Sequence, residues 1–174
     1  ASLLAQFPYS LPRGDPAASL SHLLRLREAI PPELPVHVEF RHAFWYRPEV
    51  LDFLADHDLG FVNVDLPQLP GLPPIKTDFA TTRIGYVRFH GRNAAKWWEH
   101  EEASERYDYE YSREELGEWV PVIRELAGRT HLTFIFMNNC HLGKSARDAI
   151  KMMELLDLPM PKGPFPGEEE ELFR

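Results

Sequence analysis

The chain has a single cysteine, Cys140, among its 174 residues. An intrachain disulfide is therefore excluded, and a cytoplasmic location is the expected one. The chain also lacks any apolar run near the roughly 18 residues that a membrane span needs. No stretch with the pattern of a secretory leader is recognisable, so we expect no membrane partner. A lone thiol such as Cys140 is more commonly buried than reactive.

Basic residues are scarce relative to acidic ones, with 19 Lys and Arg against 27 Asp and Glu and a formal net charge of -8. General nucleic-acid binders normally carry a basic surface, so nucleic acid is not an expected partner. A local basic pocket is still compatible with an acidic chain. The composition therefore excludes broad electrostatic binding of nucleic acid and leaves small-molecule recognition open.

Three catalytic or cofactor motifs are also absent. No GxGxxG follows a predicted strand, so a dinucleotide site has no support. No GxSxG elbow is present, which removes the support for a serine nucleophile. The histidines show neither HxH nor HExxH spacing, and we predict no metal and no cofactor. A metal held by His42, Asp65 and His90 is the weaker alternative.

The chain does contain an alternation of strand and helix patterns. Apolar or period-two segments predict five strands near Leu3–Phe7, Val36–Arg41, Phe61–Val64, Tyr86–His90 and Leu132–Met137. Helical patterns separate most of them, and a proline-rich loop at 66–74 separates the third strand from the fourth. This order is typical of a parallel sheet with helical crossovers, either a TIM barrel or an open doubly wound sheet.

Four helices are predicted, at 15–30, 47–58, 112–126 and 143–156. Asp15 is a candidate N-cap for the first of them. Ser112 and Glu115 have the spacing of a capping box at the start of the third. Pro121 is expected to disturb that third helix, because proline removes a backbone donor.

Polar side chains gather where the predicted strands end. Glu39 and Arg41 share one strand face, and Arg88 and His90 share a face of a later strand. Sites in parallel α/β folds are built at this edge, so we expect the four side chains to converge. Two guanidiniums suit a phosphate or carboxylate, and we predict His90 and Glu39 as the catalytic acid–base groups. The alternative is an ion-pair network that only fills the mouth of a barrel.

Tryptophans lie close to the same strand ends, at Trp45, Trp97 and Trp98. They are suited to form the walls of a ligand pocket that stack on sugars or bases. The alternative is a hydrophobic lid over the top of the barrel.

Four ordered motifs stand out in the sequence: VEFRHAFW at 38–45, YVRFHGRN at 86–93, YDYEYSREEL at 107–116 and FMNNCHLGKSARDAI at 136–150. Together they resemble the YecE-like proteins, domain of unknown function 72. The resemblance runs from about residue 3 to residue 156 and implies a TIM barrel without implying a reaction. It maps the family's shared polar positions onto Glu39, Arg41, His42, Trp45, Arg88, His90, Gly91, Tyr109 and Asn139. From these, the predicted ligand-binding residues are Arg41, His42, Trp45, Arg88, Tyr109 and Asn139.

The resemblance covers strands four to eight of a barrel that takes about 250 residues when complete. We therefore predict an incomplete α/β barrel at 1–158 and a mobile tail at 159–174 that is rich in Pro, Gly and Glu. Exposed edges would favour an oligomer or a complementing N-terminal half. Three functions remain open: an enzyme-like barrel for a small anionic, phosphorylated or sugar-like compound, a non-catalytic binding module using Trp and Tyr loops, and an inactive remnant.

Overall fold

The structure is a computed structural model that describes residues 2–11 and 16–160. Its strands are β1 (Leu3–Gln6), β2 (Val36–Glu39), β3 (Leu59–Phe61), β4 (Asn63–Asp65), β5 (Ile84–Phe89) and β6 (Leu132–Met137). Its α-helices are α1 (Pro16–Glu28), α2 (Pro48–Asp56), α3 (Ala94–Trp97), α4 (Arg113–Gly117), α5 (Val120–Arg129) and α6 (Lys144–Leu155). Short 3₁₀ helices occupy Ala43–Trp45, Ala103–Tyr107 and His141–Gly143. In these described parts no helix combines the length and the apolar character needed to cross a membrane.

All strand pairs are parallel, in two three-stranded sheets with the orders β1-β2-β3 and β4-β5-β6. Only Val62 separates β3 from β4, and its amide donates to the carbonyl of Val38 at 3.0 Å. Residues 59–65 therefore pair first with β2 and then with β5. The predicted parallel α/β fold is confirmed, including the pairing of β1 with β2.

The two faces of the sheets are covered differently. On one face, helices α1 and α2 pack on β2 and β3, and helices α4, α5 and α6 pack on β5. We call this the helix-covered face. Val62, Val64 and Tyr86 lie on the opposite, inner face, where Leu72 from a loop and Trp97 from α3 cover them. Because side chains alternate along a strand, each strand contributes to both faces.

The helix predictions are confirmed in outline, with one change in the third helix. The capping box forms, since Ser112 Oγ accepts from the amide of Glu115 at 3.1 Å and a Glu115 carboxylate oxygen accepts from the amide of Ser112 at 2.9 Å. That helix is divided at Trp119 into α4 and α5, and Pro121 lies in the first turn of α5, where no backbone donor is needed. Pro121 thus starts a helix instead of disturbing one. Asp15 and residues 161–174 lie outside the described residues.

Cys140 differs from its expected burial, because its side chain is exposed. It follows the end of β6 and directly precedes the 3₁₀ helix at His141–Gly143. At this position the backbone has left the sheet, so the packing that would bury a strand residue is absent.

Gly91 turns the chain out of β5 with a φ of 89°, in the left-handed region that favours glycine. A Cβ there would lie 2.6 Å from the Cβ of Tyr109. We therefore expect Gly91→Ala to lower the free energy of unfolding by about 1–3 kcal/mol, measured by urea unfolding. Gly128→Ala in α5 is the matched control, because nothing lies within 4 Å of its added Cβ and alanine favours a helix by up to about 1 kcal/mol. Equal stabilities of the two variants would contradict this account.

Candidate functional site

The carboxylate of Glu39 is the centre of a buried polar cluster on the inner face. Its Oε1 lies 2.6 Å from Arg41 Nε, and its Oε2 lies 2.6 Å from Arg88 Nη1. The Nε2 of His90 lies 3.2 Å from Oε1. The side chains of Glu39 and His90 are fully buried, and that of Arg88 is 12% exposed. The convergence that strand alternation predicts for these four residues is thus present.

Gln6, the last residue of β1, forms hydrogen bonds with both arginines. Its side-chain oxygen accepts from Arg41 Nη2 at 2.9 Å and from Arg88 Nη1 at 3.1 Å. Gln6 is itself exposed, so the cluster has one end open to solvent. Gln6 was not among the site residues predicted from the sequence, although its position near the carboxyl end of a predicted strand could have indicated it.

Asn138 completes the cluster from the end of β6 and fixes the tautomer of His90. Its Oδ1 accepts from Arg88 Nη2 at 2.7 Å, so its amide nitrogen faces His90 Nδ1 at 3.1 Å. That nitrogen can only donate, and the ring proton of His90 therefore resides on Nε2, toward Glu39. We call these six residues the Glu39 cluster: Gln6, Glu39, Arg41, Arg88, His90 and Asn138.

The cluster carries more positive than negative charge. Burial alone would raise the pKa of Glu39, but the neighbouring His90 and the two arginines outweigh burial and hold the pKa at about 2. Burial lowers the pKa of His90 from 6.5 to about 4. The Glu39 carboxylate acts in the opposite direction, but the two arginines counteract its effect. His90 is thus neutral near pH 7. One carboxylate against two guanidiniums leaves a net charge of +1.

A pocket of about 190 Å³ opens beside the Glu39 cluster. Its lining residues with polar or aromatic side chains are Gln6, Tyr9, Arg41, Trp97, Trp98, Arg106 and Tyr107. Within the described chain, this lining contains two arginines and no carboxylate. The pocket therefore combines a cationic wall with aromatic walls, which suits an anion that carries an organic ring.

Two of the predicted ligand-binding residues, Trp45 and His42, do not line the pocket. Trp45 is buried in the helix-covered core and stacks on Phe40 at 5.0 Å between ring centroids. The Nδ1 of His42 accepts from the amide of Phe44 at 2.9 Å, and its ring packs at 4.6 Å against Tyr9, which lines the pocket. Trp45 is therefore a core residue, and His42 supports a pocket wall.

Two other predicted residues, Asn139 and Tyr109, are tied into the helix-covered side. Asn139 Nδ2 donates to the carbonyl of Tyr109 at 2.8 Å and to Asp148 Oδ2 at 2.6 Å. The hydroxyl of Tyr109 donates to Glu115 at 2.5 Å. Successive residues at a strand end face opposite sides, so the inner-face contact that we expected of Asn139 is made by Asn138.

Asp65 forms a second polar network, on the helix-covered face, that sequence reasoning did not identify. Arg92 binds both carboxylate oxygens, at 3.0 Å and 2.7 Å. The Tyr111 hydroxyl and the Trp119 indole nitrogen donate to the same carboxylate at 2.7 Å and 2.6 Å. These donors occupy Asp65, so it has no oxygen to spare for a metal shared with His90. No cluster suited to a metal ion occurs within residues 2–11 and 16–160.

The fold and these two networks define an α/β protein of parallel β/α units with a charged cluster at the carboxyl edge of its sheets. The family model "Protein of unknown function DUF72" matches residues 1–170. The chain belongs to this family, which the four sequence motifs also indicate.

Known relatives agree with this assignment. The chain is 30% identical over 135 residues to the UPF0759 protein YunF of Bacillus subtilis, covering 72% of this chain and 48% of YunF. A DUF72 family protein from Thermotoga maritima superposes with a TM-score of 0.81 at 43% identity, covering 88% of this chain and 56% of that one. A second, from Enterococcus faecalis, gives 0.80 at 26% identity, covering 94% and 62%. This chain thus spans about half to two thirds of the length of these relatives.

The pKa of His90 predicts an acid-sensitive fold. Because the unfolded histidine binds a proton near pH 6.5 and the folded one only near pH 4, the free energy of unfolding should fall as pH drops through this window. The lowered pKa of Glu39 adds a second loss between pH 4.5 and about 2. Urea unfolding at pH 7, 6, 5 and 4 would measure the first loss.

His90→Gln should reduce the dependence between pH 6.5 and 4 by removing one of the two buried histidines among the described residues. Burial also lowers the pKa of His37, which keeps its own contribution in the variant. His22→Gln, at an exposed histidine on α1, should leave the dependence unchanged. If both variants keep the native slope, His90 is not the buried neutral group described above.

Proposed function

We propose that the chain binds a small anionic ligand in the pocket beside the Glu39 cluster. The observation that carries this proposal is the net charge of +1 in a cluster whose acid is fully buried. Buried charge without a partner is costly, and an anion reaching Arg41 from the pocket would supply the missing negative charge. Guanidinium groups bind phosphate and carboxylate through paired hydrogen bonds.

Binding is favoured over catalysis by the position of the two residues predicted as catalytic. Glu39 and His90 are fully buried, and neither lines the pocket. A general acid or base must come within hydrogen-bond reach of the reacting atom. Glu39 and His90 are therefore proposed to orient the arginines, and the proposed activity is recognition of the anion.

We also propose that the chain is part of a TIM-like barrel whose remaining β/α units cover the edges of the sheets. Leu4 on β1 is exposed, as are Leu132 and Phe136 on β6, at 50% and 45%. The solved relatives are longer than this chain, which supports further units on the same scaffold. Those units would belong to the same polypeptide or to a complementing chain.

Arg41→Gln should weaken binding of inorganic phosphate at least about tenfold, or about 1.5 kcal/mol, because it removes a charge-assisted hydrogen bond. Arg88→Ala should weaken binding by a similar factor through loss of the excess charge. Isothermal titration calorimetry at constant ionic strength would measure both effects.

Arg25→Gln is the matched control, because this exposed arginine on α1 lies outside the pocket lining and has no carboxylate partner in the described chain. It should leave phosphate affinity unchanged. Equal affinities for the native chain, Arg41→Gln and Arg25→Gln would overturn the proposed anion site.

The exposed edges predict that the isolated 174-residue chain self-associates, since exposed apolar patches favour association. A Leu132→Lys, Phe136→Lys double variant should shift multi-angle light scattering toward the monomer. Leu142→Lys is the control, because Leu142 is 78% exposed but lies outside the strands. A native chain that is monomeric and unfolds cooperatively above about 60 °C, the upper part of the ordinary mesophilic range, would contradict the partial barrel.

A further inference from the structure

Arg106 is a cation of the pocket wall that the Glu39 cluster does not include. Its Nη2 contacts His100 Nε2 at 3.3 Å, and its guanidinium carbon lies 5.4 Å from the centre of the Trp97 ring. Its Nε is buried and has no hydrogen-bond partner among the described residues. Within residues 2–11 and 16–160 no carboxylate forms an ion pair with it, whereas Arg41 and Arg88 both pair with Glu39.

The segment that carries Arg106 is held in place by its own hydrogen bonds. Glu102 and Glu105 form a capping box at the start of the 3₁₀ helix Ala103–Tyr107. The side-chain amide of Asn93 donates to the carbonyls of Glu105 and Asp108 at 3.1 Å and 3.2 Å. This places Arg106 on a structured support, so its guanidinium is positioned in advance for an incoming anion.

Trp98 supplies the aromatic surface that is still available to a ligand. Trp97 is buried, and the guanidinium of Arg106 lies over its ring. Trp98 is 49% exposed and packs edge-on against Tyr9 at 5.1 Å. An exposed tryptophan on the rim of a cationic pocket offers an apolar face to a ring attached to the anion.

The size of the pocket favours a ligand with one ring. Its volume of about 190 Å³ is below the roughly 300–1,000 Å³ typical of drug-sized ligands. A nucleotide, with base, ribose and phosphate, would extend beyond this pocket into solvent. A single sugar ring also brings hydroxyl groups, and the amide nitrogen of Gln6, which makes no hydrogen bond in the described chain, is a donor for them.

We propose that the pocket binds a monosaccharide phosphate, with Arg41 and Arg106 at the phosphate and Trp98 against one face of the sugar ring. This inference rests on the proposed anion site and assigns its ligand class. It also assigns Arg106 and Trp98 as specificity-determining residues. Arg106 contributes to any phosphate, whereas Trp98 contributes only when a ring is attached.

Calorimetric titration of the 174-residue chain with inorganic phosphate, glucose, glucose 6-phosphate and AMP tests this assignment. Glucose 6-phosphate should bind at least about tenfold more tightly than phosphate, and glucose alone should show no measurable binding. Arg106→Gln should weaken binding of inorganic phosphate and of glucose 6-phosphate about tenfold each. Trp98→Ala should reduce glucose 6-phosphate to the affinity of phosphate and leave phosphate itself unchanged. Trp98→Phe should keep most of the preference, and Arg25→Gln should change nothing.

The outcomes separate this inference from the proposed function. Phosphate binding that requires Arg41 but is unaffected by Arg106→Gln overturns the role of Arg106 and leaves the anion site standing. Equal affinities for phosphate and glucose 6-phosphate, or tighter binding of AMP, overturn the sugar class. Absence of phosphate binding in the native chain overturns the anion site and this inference together. Trp98 is exposed, so its variants test the ring contact even if Arg106→Gln fails to fold.

Discussion

The ion pairs of Glu39 connect the two three-stranded sheets at their carboxyl edge. Glu39 ends β2 in one three-stranded sheet, and Arg88 belongs to β5 in the other. Their 2.6 Å contact therefore joins the two sheets across the inner face. A fully buried carboxylate costs several kcal/mol unless it is paired, and here Arg41 and Arg88 bind its two oxygens separately. Without this acid, the two guanidiniums would repel each other on the same face.

The two polar networks differ in a way that follows from strand alternation. Asp65 faces the helices, where Arg92, Tyr111 and Trp119 saturate its oxygens. Arg92 also forms ion pairs with Glu115 and Glu118, so this network has no excess positive charge. Glu39 faces the inner side, which is covered by loops and leaves Gln6 exposed. The saturated network fixes the chain after β5, because the Tyr111 hydroxyl also accepts from the amide of Gly91 at 2.8 Å. The inner network retains excess positive charge beside the solvent-exposed Gln6.

The sequence predicted the parallel order of the strands and the meeting of Glu39 with Arg88, since both follow from period-two alternation and from the common edge of parallel strands. It did not separate Asn138 from Asn139, because which of two neighbours faces inward depends on where the backbone leaves the strand. It placed Trp45 in the site because the residue follows a strand, yet the 3₁₀ helix there turns the ring into the core. Arg106 lies in the 3₁₀ helix Ala103–Tyr107, in a part of the sequence that predicts no regular element, and only the folded chain brings it to the pocket.

The charge balance supports the proposed anion pocket over the alternative of an ion-pair network that only fills space. In the Asp65 network no positive charge is in excess, because Arg92 contacts the carboxylates of Asp65, Glu115 and Glu118. The Glu39 cluster leaves one guanidinium charge uncancelled, and Arg106 adds another on the same pocket. Arg88 is only 12% exposed, so water screens this excess incompletely. An anion in the pocket would lower the electrostatic energy of the Glu39 cluster and of Arg106 together. An ion-pair network with only a structural role would not require the aromatic side chains that line the pocket.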